Sequence, residues 1–214
     1  MSRLVNIVDY GAGNLYSVAQ AVAKVGGEAR LARDPAEIMS AERLLLPGVG
    51  AFASCANGLR ERGLFEPILA FAATGRPFLG ICVGMQLLFD HSLEFGRHQG
   101  LGLISGHVAP IPPRDAAGVR KVPHIGWTPL SLPSTRDDWE GSVLKDARPG
   151  IDSAYFVHSF NCTPADPACR LADADYEGFA VCAAVEKDNI VAFQCHPEKS
   201  GMVGLRIIEH FLTR

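Results

Sequence analysis

The most informative stretch of the chain is residues 77–86, with the sequence PFLGICVGMQ. Its apolar first half predicts a short buried strand, and Met85 opens a segment with the helical spacing of apolar residues. Between the two, Gly80 and Gly84 flank Cys82 at two residues on either side. A nucleophile on a sharp strand-to-helix turn requires such small neighbours, because larger side chains would collide there. The alternative is a core cysteine between two glycines that allow close packing.

The thiol of Cys82 is the one that we expect to be reactive. The N-terminus of a helix lowers the pKa of a thiol from about 8.5 and offers backbone N–H groups to a developing oxyanion. The other cysteines are expected to be buried, inert thiols that pack as small apolar side chains. They are Cys55, Cys162, Cys169, Cys182 and Cys195.

Short strands and helices alternate along the rest of the chain. Alternation at this spacing is typical of crossover units that build a mostly parallel sheet, and the second half of the chain is richer in strands. We expect one α/β domain over residues 1–214, with an open, mostly parallel sheet and helices on both faces. The predicted strands are 3–9, 44–46, 77–81, 103–104, 118–125, 154–160, 179–185 and 190–195, and the predicted helices are 15–25, 64–73, 85–89 and 202–212.

The composition excludes several classes of protein. Lys and Arg total 20 against 23 Asp and Glu, and the chain contains no run of like charges. This argues against a nucleic-acid surface and against a polybasic membrane anchor. No stretch reaches about 18 consecutive apolar residues, so we expect no membrane span and a cytoplasmic protein. The six cysteines are too few for a disulfide scaffold and lack the spacing of zinc ligand pairs. We therefore expect neither a metal nor a cofactor.

A second polar cluster follows the last predicted strand. Residues 194–198 have the sequence Gln-Cys-His-Pro-Glu, and open α/β sheets build their sites at such strand ends. His196 can take the proton of a thiol, and Glu198 can hold the imidazole in a productive orientation. Taken alone, a His-x-Glu sequence is more typical of a cap or a surface. The cysteine turn in the same small domain favours catalysis.

Two glycine-containing segments follow predicted strands nearer the N-terminus. In one, Gly48 and Gly50 flank Val49. Without bulky side chains, a backbone N–H of this segment can approach a substrate closely. The alternative is that the segment is a plain turn. The other, residues 9–14 with the sequence DYGAGN, begins like a dinucleotide-binding fingerprint but lacks its third glycine. We interpret it as a tight turn in which Asn14 caps the next helix.

Together these segments resemble the class I, triad-type glutamine amidotransferases. More narrowly, they resemble the glutaminase subunits of imidazole glycerol phosphate synthases, from histidine biosynthesis. The cysteine turn and the His-Pro-Glu sequence are typical of the superfamily, whereas the opening segment and Pro-His-x-Gly-Trp are typical of the narrower family. The resemblance covers the chain nearly end to end and implies a flavodoxin-like fold. It is carried by residues 9–15, 46–52, 80–88, 122–127, 155–160 and 196–200.

The resemblance implies a catalytic triad of Cys82, His196 and Glu198, in which the thiol attacks the side-chain amide of glutamine and forms a glutamyl thioester. It implies that the substrate is held by Gly48, Val49, Gly50, Val83, Gln86, Glu94, His158, Ser159 and Phe160. It also implies a heterodimer with a separate cyclase subunit that receives the ammonia. The interface with that partner is expected to contain Pro123, His124, Gly126, Trp127 and Lys199.

The chain departs from the narrower family at two positions. Thr128 stands where the family usually has Asn, and Cys195 stands where it has Phe, so we expect a changed interface detail and a second thiol near His196. The polar segment 131–149 is interpreted as a surface insertion. Three alternatives remain open: a glutaminase that serves another synthase, a stand-alone hydrolase or peptidase, and a non-catalytic interaction subunit. The Pro-His-Ile-Gly-Trp sequence favours the histidine pathway over the first of these.

Overall fold

The computed structural model describes residues 3–115 and 118–214, Asp115 by its backbone only. The strands, in chain order, are β1 (Leu4–Val8), β2 (Glu28–Ala32), β3 (Leu44–Leu46), β4 (Phe78–Ile81), β5 (Phe89–Ser92), β6 (His98–Gln99), β7 (Ile104–Pro110), β8 (Arg114–Asp115), β9 (Gly118–Val119), β10 (His124–Pro129), β11 (Ser153–His158), β12 (Phe160–Pro164), β13 (Arg170–Tyr176), β14 (Phe179–Lys187) and β15 (Ile190–Phe193). The α-helices are α1 (Leu15–Lys24), α2 (Pro35–Met39), α3 (Phe52–Glu61), α4 (Phe65–Ala72), α5 (Val83–Gln86) and α6 (Gly201–Leu212).

The central sheet has seven strands in the order β13-β14-β15-β4-β3-β1-β2. Neighbours from β15 to β2 run parallel, whereas β14 is antiparallel to both β13 and β15. The predicted open, mostly parallel sheet is therefore confirmed, and the order 2-1-3-4 is that of flavodoxin-like folds. β1, β3, β4 and β15 are almost entirely buried, which explains why each is short and almost entirely apolar.

The helices cover the sheet in two groups. α1 packs against α6, while α4 packs against both α2 and α3. The chain passes from β1 to β2 in one direction along the sheet and from β2 back to β3 in the other. Right-handed crossovers then place α1 and α2 on opposite faces, as predicted. No helix within residues 3–115 and 118–214 is long and apolar enough to cross a membrane.

The predicted helix at 85–89 is wrong in its extent, because α5 begins earlier and ends after one turn. After only two more residues the chain enters β5. This strand belongs to a second sheet with the order β12-β7-β5-β6. The carbonyl of Leu87 accepts a hydrogen bond from the N–H of Leu101 at 2.7 Å. This long-range bond replaces the one that a longer helix would have made.

Two predicted strands in the second half of the chain are divided in the structure. The strand expected at 118–125 is interrupted before β10 by Pro123, which has no N–H to donate to a sheet. The strand expected at 154–160 is divided at Ser159 into β11, which pairs with β10, and β12, which joins the second sheet. The predicted cap of α1 is confirmed, since the side-chain oxygen of Asn14 accepts the backbone N–H of Ser17 at 3.3 Å.

The polar segment 131–149, predicted to be a surface insertion, also has a structural role that its composition did not indicate. Ser131 exchanges backbone hydrogen bonds with Asp173 of β13 at 2.8 and 2.9 Å, so the segment covers the edge strand of the central sheet. Trp139 is 3% exposed, and its indole N–H donates to the Leu171 carbonyl at 2.7 Å. The segment protects a strand edge that would otherwise offer unpaired backbone groups.

Candidate active site

Three neighbouring strands of the central sheet end in the segments that carry the predicted chemistry. The loop 47–50 follows β3, Cys82 follows β4, and His196 lies three residues beyond the end of β15. β4 pairs in parallel with β3 on one side and with β15 on the other. The three segments therefore emerge side by side at the carboxyl edge of the sheet, although they are far apart in the sequence.

Cys82 occupies a strained turn between β4 and α5. Its φ of 56° and ψ of −115° lie in a region that residues with a side chain rarely adopt. A Cβ on Gly84 would lie 1.9 Å from the Leu46 carbonyl oxygen, and one on Gly80 would lie 3.0 Å from the Cβ of Ala192. The two glycines are thus needed for close backbone packing. Because α5 has one turn only, its dipole acts on the thiol less than a full helix would.

His196 and Glu198 form a buried pair beside the thiol. The Nδ1 of His196 lies 2.8 Å from a carboxylate oxygen of Glu198, and their side chains are 3% and 1% exposed. A carboxylate only accepts, so Nδ1 carries a proton and Nε2 is left for Cys82. Burial disfavours the charged imidazole, but hydrogen bonds to Cys82 and Glu198 outweigh it and raise the pKa of His196 to about 10.

The backbone of His196 is fixed by two residues for which no role was predicted. Its N–H donates to the Tyr155 carbonyl of β11 at 2.9 Å. The hydroxyl of Ser200 donates to the His196 carbonyl at 2.7 Å and accepts the Tyr155 N–H at 2.9 Å. These bonds tie the 3-10 turn that carries Glu198 to β11. The imidazole is consequently held on a rigid support rather than on a free loop.

Gln194 was also not predicted as a functional residue. It is fully buried, and its amide N–H donates to the Cys82 sulfur over 3.7 Å. Its carbonyl oxygen accepts from the amide of Gln86 at 3.0 Å. Gln86, which was expected to hold the substrate, therefore also orients Gln194. The signal in the sequence was a polar residue at the end of a fully apolar strand.

A cavity of about 370 Å³ opens above these residues, a size suited to a small metabolite. Gly48 and Glu198 lie behind its wall rather than in it. Within the residues that the structure describes, no group of three His, Cys, Asp or Glu side chains is arranged to hold a metal ion. The predicted site residues that line the cavity are Val49, Gly50, Cys82, Val83, Gln86, Glu94, His158, Ser159, Phe160 and His196, with Pro123 and Lys199 also contributing.

Glu94 contributes negative charge to the wall of the cavity. The residue is 9% exposed, and one carboxylate oxygen accepts the backbone N–H of Phe52 at 2.6 Å. Phe52 is the first residue of α3, where unpaired N–H groups favour a negative charge. This bond fixes the carboxylate in a position from which it can attract a cationic group in the cavity.

The two glycines of the loop 47–50 have different roles. A Cβ on Gly48 would lie 2.7 Å from the Gly84 N and 3.0 Å from the Tyr10 hydroxyl, so this position requires glycine for close packing. Gly50 has a φ of 91° and no heavy atom within 4 Å of its Cβ position, so it requires glycine for its backbone conformation. The Tyr10 hydroxyl donates to the Pro47 carbonyl at 2.8 Å and supports the loop from below.

Residues 6–214 match the glutamine amidotransferase class-I family. The chain belongs to the class I glutamine amidotransferases. A HisH 1 subunit of imidazole glycerol phosphate synthase from Legionella pneumophila (strain Lens) is 50% identical over 209 residues, 97% of this chain and 98% of that protein. The HisH subunit from Geobacter metallireducens is 49% identical over 207 residues, 96% and 95% of the two chains. Among solved structures, PurLQS from Thermotoga maritima has a TM-score of 0.73 at 19% identity, over 100% and 99% of the chains, a likeness of fold.

The amidotransferase exposes most of the residues that were expected to meet a partner. Trp127 is 57% exposed, and Pro123 and Lys199 are exposed and reach the cavity. Gly126 precedes Trp127 on β10 and is partly exposed. The expectation for His124 is wrong, because its side chain is 1% exposed and faces the interior.

The buried His124 connects one of the two departures from the narrower family with the cavity wall. Its ring lies 2.8 Å from the hydroxyl of Thr128 and 3.0 Å from the ring of His158, whose other nitrogen donates to the Phe160 carbonyl at 2.8 Å. Burial lowers the pKa of His124 to about 4 and that of His158 to about 3. Cys195, the other departure, is fully buried, and burial raises the pKa of its thiol.

Proposed function

We propose that the chain, as one amidotransferase domain over residues 1–214, is the cytoplasmic glutaminase subunit of an imidazole glycerol phosphate synthase. It hydrolyses glutamine to glutamate and ammonia, and it delivers the ammonia to a cyclase subunit. That partner makes imidazole glycerol phosphate and aminoimidazole carboxamide ribotide in histidine biosynthesis. The observation that carries the glutaminase activity is the group of Cys82, His196 and Glu198 at one cavity. Identities of 47–50% to HisH subunits support the pathway.

In the first half of the reaction, His196 already holds the proton of Cys82, as its raised pKa implies, and the thiolate attacks the side-chain amide carbon of glutamine. The negative charge then moves to the amide oxygen, where backbone N–H groups of Val49 and Val83 stabilise it. Glu198 stabilises the imidazolium that forms. When the tetrahedral intermediate collapses, His196 returns its proton to the departing nitrogen. Ammonia leaves, and a glutamyl thioester remains on Cys82.

In the second half, water hydrolyses the thioester. His196 accepts a proton from the water molecule, whose oxygen attacks the thioester carbon. The carbon–sulfur bond breaks, glutamate is released, and the proton stays on His196 beside the thiolate. Glu94 binds the α-ammonium group of the substrate, and the backbone around Ser159 and Phe160 binds the rest of it.

The partner is proposed to dock beside the mouth of the cavity. Trp127 and Ile125 are each 57% exposed on β10, and such an apolar pair on a surface is typical of an interface. Lys199 lies at the same mouth and can pair with a carboxylate of the partner. Docking there would close the cavity from solvent and leave the ammonia a path into the cyclase.

The test is glutamine hydrolysis by the subunit alone, with the cyclase, and with the cyclase and its ribotide ligand. We expect activity to rise with each addition. Cys82→Ala should abolish glutamine-dependent activity but leave the cyclase active with ammonium salts, because only the ammonia supply is lost. Cys169→Ala is the control, since this thiol lies away from the cavity. Full activity without a partner would favour a stand-alone hydrolase, and activity of Cys82→Ala would refute the mechanism.

A further inference from the structure

Gln194 and His196 both contact the sulfur of Cys82 from the bend that follows β15. The side-chain amide N–H of Gln194 donates to the sulfur over 3.7 Å. The ring of His196 is hydrogen-bonded to the same atom. The nucleophile therefore has two hydrogen-bond donors beside it, and only His196 takes part in the proton transfers.

The position of Gln194 is fixed by the fold. Its backbone N–H donates to the Ala183 carbonyl of β14 at 2.9 Å. Its side chain is fully buried, so the amide cannot exchange a protein partner for bulk water. An unpaired N–H in such a place is costly, because its lost hydration is not replaced. The bond to the sulfur is consequently part of the resting structure of the site.

The charge on the sulfur determines which way the Gln194 amide faces. The pKa of His196 is raised to about 10, so the imidazole is protonated at neutral pH and Cys82 is its thiolate partner. A thiolate only accepts hydrogen bonds, and a flipped amide would place its oxygen against this acceptor. The oxygen of Gln194 faces Gln86 instead, whose amide N–H donates to it at 3.0 Å. This orientation satisfies both neighbours of the amide.

The strength of the contact between Gln194 and the sulfur changes during the reaction. A free thiolate carries a full negative charge, and hydrogen bonds to ionised groups are roughly twice as strong as neutral ones. In the glutamyl thioester the sulfur is bonded to carbon and is uncharged, so the bond is weak. As the carbon–sulfur bond breaks, its electron pair returns to the sulfur and the bond becomes strong again. An interaction that is stronger in the transition state than in the preceding intermediate accelerates the step.

We propose that Gln194 is a further catalytic residue, which stabilises the Cys82 thiolate as the leaving group of thioester hydrolysis. The inference rests on the proposed function, in which the thioester is an intermediate. In this step His196 takes one proton from water, and the remaining hydroxyl completes the carboxyl group of glutamate as the carbon–sulfur bond breaks. Gln194 keeps its own protons and supplies only a hydrogen bond. It does not accelerate the attack on glutamine, because it stabilises the thiolate before that attack.

The first experiment compares Gln194→Met with wild type and with Asn6→Leu, each in the complex with the cyclase and its ribotide ligand. Both substitutions remove a side-chain amide and keep a similar size. Asn6 is a matched control, because it is 7% exposed and its amide donates to the Glu37 carbonyl at 2.9 Å, but it lies on β1 and does not line the cavity. Steady-state kinetics are combined with mass spectrometry of acid-quenched samples, which detects the glutamyl adduct on Cys82.

Gln194→Met should lower kcat about tenfold, which corresponds to ~1.4 kcal/mol. Its kcat/KM should stay within about threefold of wild type, because this ratio reports the steps before the thioester is hydrolysed, so KM falls together with kcat. The thioester should accumulate in this variant, and Asn6→Leu should behave as wild type. A merely structural role of Gln194 would lower kcat/KM and stability without accumulation of the thioester.

The second experiment uses the wild-type subunit alone, so it does not depend on the folding of a variant. Iodoacetamide alkylates Cys82 and converts its thiolate to an uncharged thioether, as acylation converts it to a thioester. The side-chain amide proton of Gln194 should then shift upfield in the NMR spectrum, because its bond to an anion is lost. The side-chain amide protons of Asn6 should not shift.

An unchanged kcat of Gln194→Met would overturn the proposal, and so would equal losses of kcat and kcat/KM without accumulated thioester. A Gln194 amide signal that does not move on alkylation would also overturn it. A failure of the proposed function gives a different result. In that case, the wild-type complex itself would not hydrolyse glutamine, whereas the NMR signal of Gln194 would still shift.

Discussion

A single methyl group at Gly84 is expected to inactivate the glutaminase. Its carbon would lie 1.9 Å from the Leu46 carbonyl oxygen, about 1.4 Å closer than an ordinary carbon–oxygen contact of about 3.3 Å. The nearest atoms belong to the backbone of Leu46 and Pro47 and cannot rotate away. The turn of Cys82 and the end of β3 must therefore separate. Because β3 leads directly into the loop 47–50, the nucleophile moves away from its oxyanion donors. A displacement of about 1 Å costs about 10²-fold in rate, so we expect kcat to fall at least 100-fold.

The assay is kcat for glutamine hydrolysis by the complex with the cyclase, together with urea unfolding of the subunit. Overpacking should cost about 1–3 kcal/mol of stability, which a protein of ordinary stability survives. Gly75→Ala is the control, since its φ of 76° makes the change costly but no heavy atom lies within 4 Å of its Cβ position. If Gly84→Ala kept a kcat within about threefold of Gly75→Ala, the steric argument would be refuted.

Three further changes test the triad and the partner surface. His196→Asn should lower kcat on the order of 10⁴-fold and Glu198→Gln by less, because Glu198 orients the ring without carrying the proton; equal losses would contradict these roles. Cys82→Ala should lower the pKa of His196 from about 10 in an NMR titration. The stability that the raised pKa of His196 confers is complete below about pH 6.5 and is lost as the pH rises toward 10. The unfolding free energies of wild type and Cys82→Ala should therefore converge over that range. Trp127→Ala should weaken cyclase binding by about 2 kcal/mol in calorimetry, and an unchanged affinity would exclude Trp127 as an anchor.

The strands that carry the site were predictable because burial on both faces leaves a simple pattern. β3, β4 and β15 are continuous apolar runs, and their predicted bounds differ from the observed ones by two residues at most. β2 was missed because charged and apolar side chains alternate along residues 28–32, at an edge of the sheet. α3 was missed because its few apolar residues are interrupted by polar ones and by Gly58. The sequence pattern of one segment does not show which other segments it will pack against.

The partner surface shows a second limit of sequence analysis. Alternation along β10 places His124, Gly126 and Thr128 on one face and Ile125 and Trp127 on the other, but it does not say which face is buried. The usual rule would bury the apolar face. The structure buries the histidine and exposes the two apolar residues, as is typical of a surface that another protein covers. In the same way, Gln194 acquires its role through contacts that only the fold creates.

The placement of the catalytic groups directly after β3, β4 and β15 also determines how the enzyme should fail on heating. Local opening in proteins is easiest in loops and termini, and the central strands of a sheet open only with the whole molecule. Here, the nucleophile and its base follow central strands, whose amides we expect to be the most protected of the chain. Hydrogen exchange should therefore be slowest in these strands. Glutaminase activity and circular dichroism should be lost at the same temperature, without an inactive but folded intermediate.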